Sequence, residues 1–138
     1  MADEKDVEAV YNPVAESIED RLAEKGSPLD LSGANLKCAF MWHLKLPGTD
    51  LTDASLQGAR LNDTDLCGSS LRGAKFKGAD LRGSNLRGAD MHGADLRGAK
   101  LDQSAHQWAS TKNLEHARGL PPGTFADAVA AGYKIQDS

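Results

Sequence analysis

Four histidines (His43, His92, His106 and His116), two cysteines (Cys38 and Cys67) and a row of cations at Arg72, Lys77, Arg82, Arg87 and Arg97 are where this 138-residue chain could do chemistry. Imidazoles and thiolates serve as nucleophiles, proton carriers and metal ligands, but that work needs two or three of them brought together at short spacing. The histidines are scattered, and none forms a close-spaced ligand pair with a cysteine or a carboxylate. A phosphate-binding loop needs glycines that lead into a helix. Here the glycines recur at intervals of five and precede none. No catalytic residue, metal site or cofactor is expected, and the two cysteines are expected as free thiols, Cys38 partly packed and Cys67 outward.

What positions these side chains is a beat of five. Every fifth residue from Leu31 to Leu101 is apolar: Leu31, Leu36, Met41 and Leu46, then Leu51, Leu56, Leu61, Leu66, Leu71, Phe76, Leu81, Leu86, Met91, Leu96 and Leu101. At 100° per residue, a period of five walks around a helix by 140° each time, and in a strand it changes face at every step. The backbone must therefore turn once per unit. The residue two before each beat is small or polar through most of the run, as at Ala54, Thr64, Ala74 and Ala94. Those two positions should point inward, with residues 51 to 101 of the beat forming a central stack. The other three positions carry Asp, Asn, Arg, Lys and Gly and should face water; glycine at the last of them suits a tight corner.

Units such as Ala79-Asp80-Leu81-Arg82-Gly83 and Ala94-Asp95-Leu96-Arg97-Gly98 resemble the pentapeptide-repeat family, and the resemblance covers residues 29–103. It implies an all-β solenoid: a right-handed quadrilateral β-helix with four repeats per coil, of about four coils here. Columns of residues twenty apart agree with it, since Ala34, Ala54, Ala74 and Ala94 fall on one face and Ala39, Ala59, Ala79 and Ala99 on the next. At roughly 4.8 Å per coil the rod is about 19 Å long.

The same columns place the charged side chains. Asp30, Asp50 and Asp90 share a face, interrupted by Ser70. Stacked acids can raise one another's pKa or hold a cation, but beside Arg72 they read as polar surface. The cations after each beat encircle the rod; only Lys77 and Arg97, with Lys75 one coil below Asp95, make a local basic patch. Nucleic-acid binding normally shows a stronger one-sided field with aromatics for stacking. The first coil breaks the pattern at residues 39–48. Phe40, Trp42 and His43 flank Met41, and Leu44 replaces the small inner residue. Two arrangements are open: an N-terminal segment covers Phe40 and Trp42, or they form an exposed anchor for a protein partner.

Three segments follow: 1–28 as an N-terminal helical cap, 29–103 as the β-helix, and 104–138 as a C-terminal helical cap and tail. Asn12, Pro13 and Gly26 bracket a helix with Val14, Ile18 and Leu22 on one stripe. The beat fails at His106, so the solenoid should stop near Gln103. Thr111 should cap a short helix over 112–118, Thr124 a weaker one to Gly132, and the chain should be loose from Tyr133.

Residues 1–28 carry eight acids against three bases, within a net charge of -4. No stretch approaches the roughly 20 apolar residues of a membrane span. An acidic N-terminus does not read as a signal peptide. A cytoplasmic monomer is expected, from a bacterium if the family resemblance guides the source. In function the family resemblance offers DNA mimicry, an acidic rod occupying the DNA site of a type II topoisomerase such as gyrase. The repeats hold ten bases and nine acids, close to neutral, which does not suit that role. The leading expectation is a non-enzymatic scaffold or protein-interaction module with an unidentified protein partner, no membrane association and no nucleic acid.

Overall fold

A computed structural model describes Ile18, residues 28–102, Trp108 and residues 110–135. Through the repeats the chain returns beside itself every twenty residues. Parallel bridges join Asp30 to Asp50, Asn35 to Ser55, Phe40 to Arg60 and Lys45 to Asp65, and each of these four columns continues upward. The sequence beat therefore becomes a four-faced coil, and each face is named below by its first stacked residue: Leu31, Leu36, Met41 or Leu46. Among the described residues the pairing consists of isolated bridges rather than extended strands, because a face is too short before the next corner.

The rungs repeat one pattern. Leu51 donates its N–H to the Ser70 carbonyl at 2.9 Å, and Ser70 donates back to Thr49 at 3.0 Å. Each corner closes by a four-residue turn, as where Ala54 donates to Leu51 at 3.0 Å. The third residue of these turns has positive φ, even where it is Cys38, His43, Asp53 or Asp63 instead of glycine. For those four the left-handed backbone costs about 1 kcal/mol apiece.

Leu51 through Leu96 of the stack are buried, and Leu101 is partly exposed where the last full coil ends. Leu29 and Leu44 fill the core of the first coil with larger side chains. At the inner position Thr64 Oγ1 donates to the Met41 carbonyl at 2.7 Å and Ser69 Oγ to that of Leu46 at 3.0 Å, whereas Thr49 Oγ1 is buried with no hydrogen-bond partner among the described residues. Ile18 is helical and buried in the same core. The rest of the expected N-terminal helix, with Asn12, Pro13, Val14, Leu22 and Gly26, lies outside the described residues, as does His106.

The C-terminal segment departs from expectation. Residues 112–118 do not form a helix; Lys112 bridges to Asp90 and Arg118 to Asp95, so the chain adds two more rungs. Between them only Leu114–His116 make a single 3-10 turn, which drops Leu114 into the core. The unpaired backbone at the top of Asp90 and Asp95 is a better partner for this segment than its own short helix. A helix follows at Thr124–Ala130.

Tyr133 is not loose either. It is buried, and its hydroxyl accepts the Leu114 N–H at 2.7 Å and donates to the Glu115 carboxylate. Burial, and then the bond to Glu115, push its pKa up to about 12. The cysteines are free thiols: Cys38 is exposed where partial packing was expected, and Cys67 is half-buried.

Candidate interaction face on the first coil

The Met41 face holds the aromatic irregularity. Phe40 and Trp42 sit either side of Met41, which points inward, so both rings emerge on the outer surface and each is half-buried. Their centroids are 5.4 Å apart with planes inclined at 58°. One coil up, the Arg60 guanidinium lies 4.9 Å from the Phe40 centroid and 5.6 Å from that of Trp42. Cation and ring faces attract through the ring quadrupole, worth about 0.5–1 kcal/mol at an exposed site. Trp42 Nε1 donates to Asn62 Oδ1 at 3.1 Å, which fixes the indole plane. His43 is exposed at the adjoining corner with φ 59°, one coil below Asp63.

Sequence reading did not single out Arg60 and Asn62. They lie twenty residues after Phe40 and Trp42, so the column spacing already held the signal. Above the cluster an open trough of about 710 Å³ runs along the face, bordered by Trp42, Arg60, Asp63, Asp80 and Lys100. Its acids and bases alternate, and Trp42 is its one large apolar side chain.

The acids that could have done chemistry are engaged in holding corners. Asp50 Oδ1 accepts the Thr52 N–H at 3.0 Å, Asp65 Oδ1 that of Cys67 at 3.0 Å, and Asp90 Oδ1 that of His92 at 3.1 Å. A short acidic or amide side chain that bonds the backbone two residues on is a turn former, which explains why Asp or Asn precedes so many stacked residues. In the Asp-Leu-Arg units the arginine also folds back on the aspartate. Arg82 reaches Asp80 through Nε at 2.9 Å and Nη2 at 2.7 Å, and Arg97 reaches Asp95 at the same two distances.

The guanidinium of Arg82 holds the Asp80 carboxyl well below the usual carboxylate range, and that of Arg97 holds Asp95 at about 2. Burial disfavours the charge of Asp90, yet hydrogen bonds from Asn113 at 2.8 Å and Arg72 at 3.0 Å outweigh it and lower its pKa. Folded values below the ordinary 3.8 mean stabilisation that is full above about pH 4 and is lost as the pH falls through the folded values. The partner arginines are exposed, so solvent screening keeps the contribution of each pair small. Thermal melts should therefore be flat from pH 7 to about pH 5 and fall below about pH 4, and Asp80→Asn with Asp95→Asn should shrink that fall. An unchanged acid limb in the double variant would contradict this role.

The other residues of interest are distributed as follows. Lys75, Lys77 and Arg97 share the Leu36 face, all exposed, with Arg97 clasped to Asp95. The C-terminal rungs bring His92 and His116 together, ring centroids 4.8 Å apart, although they are far apart in sequence. His116 Nε2 is 3.8 Å from a Glu115 oxygen. Among the described residues no group of three or more His, Cys, Asp or Glu side chains is placed to hold a metal ion. No helix among them is long and apolar enough to cross a membrane.

A coil that closes every twenty residues, presents flat polar faces and grips its own acids at the corners defines a repeat solenoid of the quadrilateral kind. Residues 41–73, 49–88 and 68–103 match the pentapeptide repeats, in 8 copies, and the chain belongs to that family. Its neighbours among solved structures are pentapeptide-repeat proteins, and they imply the right-handed quadrilateral β-helix. One is a pentapeptide repeat protein from the thylakoid lumen of Arabidopsis thaliana, 28% identical, with a TM-score of 0.52 over 65% of this chain and 55% of that one. Another is HetL from the cyanobacterium Nostoc sp. strain PCC 7120, involved in heterocyst differentiation regulation, 33% identical, with a TM-score of 0.50 over 52% of this chain and 34% of that one. The chain thus spans about half of the first protein and a third of the second. No curated protein matches it.

Proposed function

We propose that the chain is a non-enzymatic scaffold or protein-interaction module, and that a protein partner docks on the first coil through Phe40 and Trp42, with His43 at the rim. The observation that carries this reading is the cluster itself. Two aromatic rings stand half-exposed on an otherwise polar rod, tilted against each other and held in place by Arg60 and Asn62. Pre-set aromatics lose little side-chain entropy on binding and dominate interface hot spots. The reading as a non-enzyme draws on the family and on the engagement of the carboxylates at corners. HetL, whose role is regulatory, is a relative with which such a function is compatible. A cytoplasmic location, a bacterial source and a monomeric state belong to the same proposal.

In a pull-down from its native host, the wild-type protein should recover a specific partner that Trp42→Ala loses, while the melting temperature of the variant stays within a few degrees. Recovery of the same partner by Trp42→Ala would sink the aromatic anchor. The DNA-mimic alternative calls for a continuous acidic face. The most acidic face here, with Asp30, Asp50, Asp53 and Asp90, is broken by Ser70, Arg72 and Lys112. The protein is expected not to inhibit gyrase supercoiling, and inhibition would favour mimicry over the scaffold reading.

A further inference from the structure

Among the described residues the Leu36 face carries the strongest one-signed charge outside the aromatic site. Its outward residues run in two columns. One holds Asn35, Ser55, Lys75, Asp95 and Arg118, joined by bridges, and the other holds Lys37, Gln57, Lys77 and Arg97, two residues further along each coil. Five cations thus stand against one acid. Lys37, Lys75, Lys77, Arg97 and Arg118 are all exposed. Asp95, the one acid, is gripped by Nε and Nη2 of Arg97. Among the described residues no salt bridge involves Lys37, Lys75, Lys77 or Arg118. Sequence reading found Lys75, Lys77 and Arg97 but missed Lys37, which stands in the same column, and Arg118, which joins the face only through the added C-terminal rung.

We infer that this face docks an acidic polypeptide segment, extended along the rod axis. The cations span the coils from Lys37 to Arg118, about 19 Å at the usual strand spacing, which an extended segment of about six residues covers. Backbone pairing is closed on this face: Leu36, Leu56, Phe76 and Leu96 each donate to the next rung. Recognition must therefore come from side-chain charge, which favours fast, salt-sensitive association.

Charge complementarity alone would admit any polyanion, but two features favour the peptide. The face is about 10 Å wide, three residues of extended chain, whereas the major groove of a duplex is itself about 12 Å wide. A duplex would overlap the neighbouring Leu31 face, where Asp50 and Asp53 would repel it although Asp90 is paired with Arg72. Single-stranded nucleic acid is held by a basic groove combined with aromatics on which its bases stack, and the described aromatics of the rod surface, Phe40 and Trp42, lie on the Met41 face. The inference does not rest on the aromatic anchor, and the two stand or fall separately.

The test is fluorescence anisotropy of a labelled octaglutamate peptide with the full chain at low salt. Wild type should bind it, and affinity should fall as salt rises. The double variant Lys75→Glu, Lys77→Glu should bind about tenfold or more weakly, while Arg87→Glu on the Leu46 face should leave affinity within about twofold. Both altered positions are exposed, and a thermal melt checks that the fold survives. A thymidine oligonucleotide and a short duplex should bind at least about tenfold more weakly than the peptide. The inference is overturned by absence of peptide binding, by equal or tighter binding of either nucleic acid, or by an Arg87→Glu loss as large as that of the double variant.

Discussion

Replacing Gly119 by alanine should detach the C-terminal rungs from the rod. Gly119 has φ +78°, and a Cβ there would lie 2.4 Å from Arg97 Cγ, 2.6 Å from Arg97 N and 2.8 Å from Arg97 Cα. Two of those three atoms are backbone and cannot swing aside, so the clash adds to the left-handed penalty. The two together cost about 3 kcal/mol or more. The rungs next to it, Leu96 to Arg118 and Arg118 to Ala94, both at 2.7 Å, are the contacts that must give. Hydrogen exchange should show these two amides losing protection while Leu51 and Ser70 keep theirs. Gly68→Ala is the control, because φ is +70° there but a Cβ would meet nothing within 4 Å. That change should cost only about 1 kcal/mol, and equal losses at the two sites would refute the clash.

Phe76→Ala should be the most damaging change in the stack, at about 3–5 kcal/mol by chemical denaturation. Phe76 is fully buried and bulkier than the leucines that share its column, so its removal leaves a void between the coils of Leu56 and Leu96. In a solenoid each coil packs only on its neighbours, and a void in a middle coil weakens the only link between the two halves. The transition should broaden or split as well as move. Lys77→Ala, one residue along but exposed, should stay within about 0.5 kcal/mol. A comparable loss there would mean that the register is wrong by one position.

Much of this was legible in the chain. The beat from Leu31 to Leu101 determines which residues point inward, and the column of twenty determines which lie above one another. Arg60 over Phe40 follows from those two periods alone. The corner role of Asp50, Asp65 and Asp90 was harder to see, because composition shows only that the residue is polar, whereas the bond to the backbone two residues on is local geometry. The C-terminal rungs were illegible for a different reason. The spacing lengthens from twenty residues to twenty-two between Asp90 and Lys112 and to twenty-three between Asp95 and Arg118, so a search at fixed period loses the column. Two of the extra residues enter between Lys100 and Lys112; the third falls between Lys112 and Arg118, at the 3-10 turn of Leu114–His116, which Tyr133 pins through a contact between residues nineteen apart that no local pattern encodes.

The central functional claim is that the first-coil aromatics carry partner recognition. Its most direct test is one quantitative pull-down from native-host lysate, comparing wild type with Phe40→Ala, Trp42→Ala and Arg87→Ala at matched folding. The account predicts a specific protein retained by wild type and Arg87→Ala and depleted about tenfold or more by both aromatic variants. Equal recovery of that protein by all four would contradict it.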